Sequence, residues 1–507
     1  MLKKIILSTL LLAGFGLNLL AQKKDQKELK PIKKEIAASK PKEAFNISLT
    51  LKGYPNQKFY LGYYFGDKQY LRDSGSTDAS GKITFKGDEP LEGGVYLIAT
   101  AQKSLMFDFV VTEQFFSLET DSSDLIKNMK IKGSTENEVF FTYTRYTSVK
   151  GKLAYELDEK IKEAKAAKDT ATQNKLESEY RKITTELIEY RKELMKAHPN
   201  VLLSKIFRIM TDIDIPEAPR NEKGEIIDSN FQYQYYYKHY FDNFDWADER
   251  IVRTPVFHGK LESFMKRLTP QIPDSIIKSA DIVLGKAAAG KENFKYCLFW
   301  ITNHYETSQF MGMDKVFVHM VDNYYAKGKA FWADETVIAK MQDRANNLRN
   351  NLLGNKGPNL TMLDSSFVYH SLYNIRAKYT LLVFWDAGCG KCKEELPKLK
   401  KIFNEYNTLG KEKPTKPGTL PEPKFFDIYG VSLTPNVEDW KTYLRENKLP
   451  WLNVYDPSNE TGFRRLYDIY STPVLYILDE NKKIIAKRIS ADQIQEIIKD
   501  YEQRKTN

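Results

Sequence analysis

From Phe45 to about Phe140 the chain alternates hydrophobic and polar residues with a period of two. Phe45, Ile47, Leu49 and Leu51 fall on one side of a strand, as do Phe59, Leu61 and Tyr63, because successive strand side chains point to opposite faces. Turn-forming clusters at Tyr54-Pro55-Asn56, Asp78-Ala79-Ser80-Gly81 and Leu91-Glu92-Gly93-Gly94 divide the run. Short strands at this spacing predict a small β-sandwich over residues 44–142. Asp67, Asp73 and Asp78 are expected at turns, and the region holds no cysteine or histidine on which to build chemistry.

From about Tyr143 the period lengthens to that of helices. Leu176, Tyr180, Ile183, Leu187, Tyr190 and Leu194 recur at steps of four and three, an apolar stripe along one helix face that reads as intrachain core. A break near Lys168-Asp169-Thr170 and a stop at His198-Pro199 predict a helical hairpin over 145–197, since proline restricts the residue before it. An aromatic run from Phe231 to Trp246 is read as helix core. Cys297, within Tyr296-Cys297-Leu298-Phe299-Trp300, is read as a buried, inert thiol. Residues 143–350 are expected to form an all-helical central domain.

Beyond the turn-rich segment Leu353–Pro358, strand and helix patterns alternate. Strands are expected at Tyr379–Trp385, Phe425–Leu433, Val474–Leu478 and Lys483–Ile489, and helices at Lys391–Tyr406, Val437–Glu446 and Asp492–Tyr501. Such alternation predicts a mostly parallel sheet flanked by helices, an α/β domain over 351–507. The stretch from Lys411 to Pro423 reads as a charged, proline-bearing surface insertion. The whole is a multidomain α+β chain: sandwich, helical middle, α/β end.

The first residues bear on the compartment. Met1-Leu2-Lys3-Lys4, an apolar stretch from Ile5 to Leu20, and Ala21 before the polar Gln22 read as a signal peptide cut after Ala21; the alternative is an uncleaved membrane anchor. Residues 22–43 are lysine-rich and interrupted by Pro31 and Pro41, a basic linker. The formal charge is +10 over 507 residues, much of it in these segments, and no nucleic-acid motif accompanies it. The six histidines show no metal-ligand spacing, so no metal site is expected.

Two of only three cysteines stand three apart, Cys389-Gly390-Lys391-Cys392, between an expected strand and an expected helix. The pair can be a redox centre, half of a zinc site or a staple. A staple closing so small a loop removes little unfolded-state entropy, and a zinc site needs two further ligands. Both arguments favour redox chemistry. At a helix start the unpaired N–H groups and the dipole favour the thiolate of the first cysteine. Cys389 is therefore expected to attack and Cys392 to resolve, with the Lys391 charge helping Cys389 ionise.

The segment Leu382-Val383-Phe384-Trp385-Asp386-Ala387-Gly388-Cys389-Gly390-Lys391-Cys392-Lys393-Glu394-Glu395-Leu396-Pro397 resembles the active-site stretch of the thioredoxin superfamily, and most closely the TlpA-like exported thiol–disulfide oxidoreductases. Glu395 and Pro397 match that family's tail, and Pro397 is expected to kink the active-site helix. Ser471-Thr472-Pro473-Val474-Leu475-Tyr476 matches its threonine–cis-proline before a strand. The resemblance implies that Thr472 and Pro473 lie beside the disulfide and bind the substrate chain as an added strand. It also implies a periplasmic or cell-envelope location, no cofactor beyond the Cys389–Cys392 disulfide, substrates that are exported proteins with cysteines, and a membrane or periplasmic thiol electron donor. The expected activity is disulfide exchange as reductant or isomerase. A competing class is a cell-envelope binding protein whose thioredoxin-like module is redox-inactive or accessory.

Two positions depart from the family's pattern. Gly388 stands where tryptophan is common, opening the surface around Cys389. Val383 stands where thioredoxins carry a buried aspartate that assists the second thiol. Deprotonation of Cys392 is then expected to rely on another base, for which Glu395 is a candidate, or on water. The upstream regions resemble domains of unknown function fused to thioredoxin-like domains.

Overall fold

The structure is a computed structural model that describes residues 43–308, 310–409 and 422–506. The expected signal segment, the linker up to Lys42 and most of the Lys411–Pro423 insertion lie outside the described residues. The chain divides into two compact units: one runs to Thr269 and includes Val283–Cys297, and the other comprises Pro270–Ile282 and the chain from Leu298 onward.

The first unit begins with eight strands, β1 (Phe45–Lys52), β2 (Lys58–Phe65), β3 (Lys68–Ser76), β4 (Lys82–Gly87), β5 (Gly94–Thr100), β6 (Leu105–Val111), β7 (Phe115–Asp121) and β8 (Lys130–Lys132). They form two four-stranded sheets, ordered β4-β1-β7-β8 and β3-β2-β5-β6. Phe45, Ile47, Leu49 and Leu51 of one sheet and Phe59 and Leu61 of the other are buried in a single cluster, so the two-residue period does build a sandwich. Asp73 lies inside β3 rather than at a turn.

Helices α1 (Thr135–Ala166), α2 (Thr170–Ala197), α3 (Leu202–Met210), α4 (Phe231–His239) and α5 (Phe257–Ser263) follow. The first starts eight residues before the expected Tyr143. Ser134 caps it by accepting the Asn137 N–H, and the Asn137 amide bonds both the N–H and the carbonyl of Val110 at 2.8 and 2.7 Å. That pairing lets Val139, Phe140, Phe141 and Tyr143 enter the sandwich core, which a strand-like reading of Phe140 had missed. The hairpin break falls where expected, with Asp169 capping α2. The α2 stripe faces α1: Tyr190 stacks on Tyr143, and Lys150 meets Glu186 at 2.5 Å. The aromatic run is not helix core as expected: α4 buries none of its residues, and the buried Tyr240, Phe241 and Trp246 follow it in irregular chain, with Phe241 4.7 Å from Phe264 and Trp246 5.8 Å from Phe257, ring centre to ring centre.

Four further helices, α6 (Pro273–Ala287), α7 (Lys291–Glu306), α8 (Asp314–Met320) and α9 (Glu335–Arg349), lead to the C-terminal sheet. Its strands are β9 (Thr361–Asp364), β10 (Tyr369–Ser371), β11 (Ala377–Trp385), β12 (Lys424–Ser432), β13 (Leu452–Tyr455), β14 (Val474–Leu478) and β15 (Ile484–Lys487), in the order β10-β9-β13-β12-β11-β14-β15. Helices α10 (Gly390–Leu409), α11 (Val437–Asn447), α12 (Phe463–Leu466) and α13 (Ile494–Thr506) accompany it. The sheet is mixed rather than mostly parallel. Only β11–β12 and β12–β13 run parallel, while β9–β10, β9–β13, β11–β14 and β14–β15 are antiparallel. A helical crossover returns a strand in the same direction, whereas the short turns of the β9–β10 and β14–β15 hairpins reverse it. Central β11 is buried on both faces. Leu381, Val383 and Trp385 join Cys392, Leu396 and Leu399 on one side, and Leu382 and Phe384 join Tyr467 and Tyr476 on the other. Each such side chain contributes roughly 1.5–3 kcal/mol by burial, so the strand end that carries the cysteines is firmly held.

Candidate active site

The site begins where β11 runs out. The Leu433 N–H binds the Trp385 carbonyl at 2.7 Å, the last rung before the chain turns. Asp386 then folds its side chain back to accept the Gly388 N–H at 2.7 Å, and its carbonyl accepts the Cys389 N–H at 3.1 Å. Thr434, itself bonded to Ser432, accepts the Ala387 N–H at 2.9 Å. These contacts fix the turn and leave Gly388 exposed; a Cβ there would meet only Asp386 Oδ1.

Because α10 starts at Gly390, Cys389 occupies the capping position, and its sulfur takes the place of a capping oxygen. Cys389 Sγ accepts the Cys392 N–H at 3.3 Å, one of the first-turn donors that an α-helix leaves unpaired. It also lies 3.4 Å from the Thr472 carbonyl oxygen, to which the thiol donates. Thr472–Pro473 is a cis peptide. The two cysteines are free thiols, Cys389 half-buried and Cys392 buried.

Their electrostatics differ in sign. Burial pushes the Cys389 thiol up, but bonds from the Cys392 thiol, the Thr472 side chain and the backbone N–H groups of Cys392 and Lys391 outweigh it, and the thiol ends below its ordinary value. The Thr472 carbonyl opposes these donors by favouring the protonated thiol. Burial, then the hydrogen bond to Cys389, pushes Cys392 up to about 12. The arrangement makes Cys389 the more readily ionised of the two sulfurs and keeps Cys392 protonated.

The other expected residues fall as follows. Lys391 is exposed on the first turn. Pro397 lies inside α10, where it removes one backbone donor. Glu395 is not directed to Cys392: its carboxylate accepts the Ala491 N–H at 2.7 Å and meets Lys398 at 3.2 Å, so it ties α10 to the segment before α13. Val383 is wholly buried, and its cross-strand neighbour is Gly430. A Cβ on Gly430 would come within 2.7 Å of Asn453 Oδ1 and 3.0 Å of Trp451 Nε1, so a larger residue here would have to displace the Asn453 side chain. The polar side chain that the sequence reading missed on the Cys392 side is Tyr443, whose ring lies 5.2 Å from that of Trp385. Burial first, and the proximity of Cys392 second, push its hydroxyl above its ordinary value. Ser432 and Thr434 were also missed, because nothing local marks a residue that steadies a turn 47 positions away. Among the described residues no group of three or more His, Cys, Asp or Glu side chains comes together to hold a metal ion.

Comparison with known proteins divides the chain in three. A domain of unknown function (DUF4369) matches residues 45–140 and another (DUF5106) residues 163–351, while the thioredoxin-like family matches residues 377–484. A curated relative, thiol-disulfide oxidoreductase ResA of Bacillus thuringiensis, is 20% identical over 149 residues, covering 29% of this chain and 76% of its own. Among solved structures, a domain of a possible thiol-disulfide isomerase from Cytophaga hutchinsonii is 40% identical, covering 31% of this chain and 97% of its own, with a TM-score of 0.27. A thioredoxin-like protein from Bacteroides caccae is 20% identical, covering 56% of this chain and 97% of its own, with a TM-score of 0.42. The C-terminal domain of this chain is thioredoxin-like, and the relatives it resembles are named as thiol–disulfide oxidoreductases.

Proposed function

We propose that the protein is exported to the periplasm or cell envelope and there exchanges the Cys389–Cys392 disulfide with exported proteins, as reductant or isomerase. The observation that carries this reading is the asymmetry of the two sulfurs: Cys389 is half-exposed at a helix cap with its thiol lowered, and Cys392 is buried with its thiol raised. In the forward step the Cys389 thiolate attacks one sulfur of a substrate disulfide. A mixed disulfide forms, and the other substrate sulfur leaves as thiolate and takes a proton. Cys392 then gives up its proton and attacks Cys389 Sγ. The Cys389–Cys392 disulfide closes as the substrate's second thiol departs, so the substrate gains the two electrons the pair has lost. A thiol electron donor restores the dithiol. Thr472, whose carbonyl already meets Cys389, and the adjoining Pro473 orient the substrate backbone.

The test is a Cys392→Ser variant expressed with its signal segment. It should accumulate mixed disulfides through Cys389, visible as adducts on non-reducing gels that vanish with reductant and identifiable by mass spectrometry. Absence of adducts, together with no exchange between the wild-type pair and a dithiol, would sink the proposal.

A further inference from the structure

The loop that reaches Cys389 is anchored by residues far from it in sequence. Asp468, five residues before Pro473, has a fully buried side chain and a left-handed backbone with φ of 55°. Two guanidiniums close on its carboxylate: Arg344 on one oxygen and Arg488 on the other. Arg488 follows β15, but Arg344 belongs to α9, ahead of the thioredoxin-like match and within residues 163–351. The same helix and the residues just after it make further bonds to this segment. Arg465 binds Asn347 at 2.7 Å and also pairs with Asp343, and the Asn351 amide binds the Leu466 carbonyl at 3.2 Å.

Between the anchored Asp468 and Thr472 stands Tyr470, 74% exposed. Its ring is steadied from one side by the Arg344 guanidinium, 5.6 Å from the ring centre. Two residues span at most about 7 Å, so this ring lies within a side chain's reach of the Thr472 carbonyl that touches Cys389. This exposed aromatic, on the loop whose Thr472 carbonyl touches the attacking sulfur, is held by a cation.

We propose that Tyr470, presented by Arg344 and Asp468, is a docking contact for an apolar or aromatic side chain flanking the cysteine of a substrate polypeptide. This deepens the oxidoreductase reading and rests on it. The occupant is an extended polypeptide because the contact continues the proline loop that would pair with a substrate backbone. An apolar flank is selected because the ring offers a flat hydrophobic face while its cationic partner is already engaged. Asp468 and Arg344 are positioning residues: neither meets the sulfurs, and both act through the loop. The helical region ahead of the thioredoxin-like domain thereby takes part in substrate choice.

The experiment uses two synthetic peptide disulfides, identical except for phenylalanine or serine beside the cysteine, and reads the ratio of kcat/KM for the two with the full chain. Wild type should prefer the phenylalanine peptide. Tyr470→Ala should lower that ratio by about tenfold, the order expected for losing one apolar contact. Tyr470→Phe should retain the ratio, and Arg344→Ala should lower it. Loss of fold or of general activity would reduce both peptides alike and leave the ratio unmoved, so a ratio unchanged in Tyr470→Ala overturns the docking role. Wild type that exchanges with neither peptide nor with an oxidised small dithiol overturns the oxidoreductase reading itself.

Discussion

Cys297 and Cys389 both belong to helical segments, and their surroundings are opposites. Cys297 lies in the middle of α7, wholly buried, and burial alone pushes its thiol far above the ordinary value. Cys389 sits at the cap of α10, where its sulfur meets first-turn N–H groups and the Thr472 loop. The N–H groups around a mid-helix residue are spent on carbonyls four residues back, whereas those of the first turn are free to meet a sulfur. Reactivity therefore follows from where along a helix the cysteine stands.

The largest expected effect separates the two outright. Cys389→Ser should reduce dithiol-driven reduction of a protein disulfide to background, while Cys297→Ala should retain the wild-type rate; equal loss in both would break the contrast. The next effect is chemical. With iodoacetamide and mass spectrometry, Cys389 should alkylate first, its rate rising with pH to a plateau whose midpoint lies below the roughly 8.5 of a free thiol. Cys392, raised to about 12, should lag behind it through this range, and Cys297 should react only after denaturation.

The smallest effect is on stability. Cys297 and Cys392 are raised in the folded protein, so their contribution is intact below about pH 8.5 and is lost as pH rises above it, because the unfolded chain releases protons that the folded one holds. Cys297→Ala should flatten this decline by about 1.5 kcal/mol between roughly pH 8.5 and 10. Thermal or denaturant melts on the dithiol form across that window measure it, and an unaltered slope would mean that Cys297 ionises freely.

Much of the architecture was legible where a signal repeats. The alternation at Phe45–Leu51, the α2 stripe and the hydrophobic run of β11 each recur often enough to name an element. Strands β9, β10 and β13 were not legible, since each has only three or four residues and no period develops over so short a span. The start of α1 was misplaced because Phe140 and Phe141 suit either period, and the Ser134 cap together with the Asn137 bond to Val110 selects the helix. In the site, the cysteine pair and the proline loop carry motifs of their own. Tyr443, Thr434, Asp468 and Arg344 carry none, and Glu395 was read as a base although it braces the approach to α13.

The sequence by itself determined that two thiols stand one helical turn apart at the start of a helix, because spacing, turn chemistry and helix polarity are local properties. Tertiary structure decided what those thiols face. Cys389 meets Thr472 from 83 positions away, and Asp468 meets Arg344 across 124. Such contacts depend on which strands the chain brings side by side, and no short-range pattern encodes that choice.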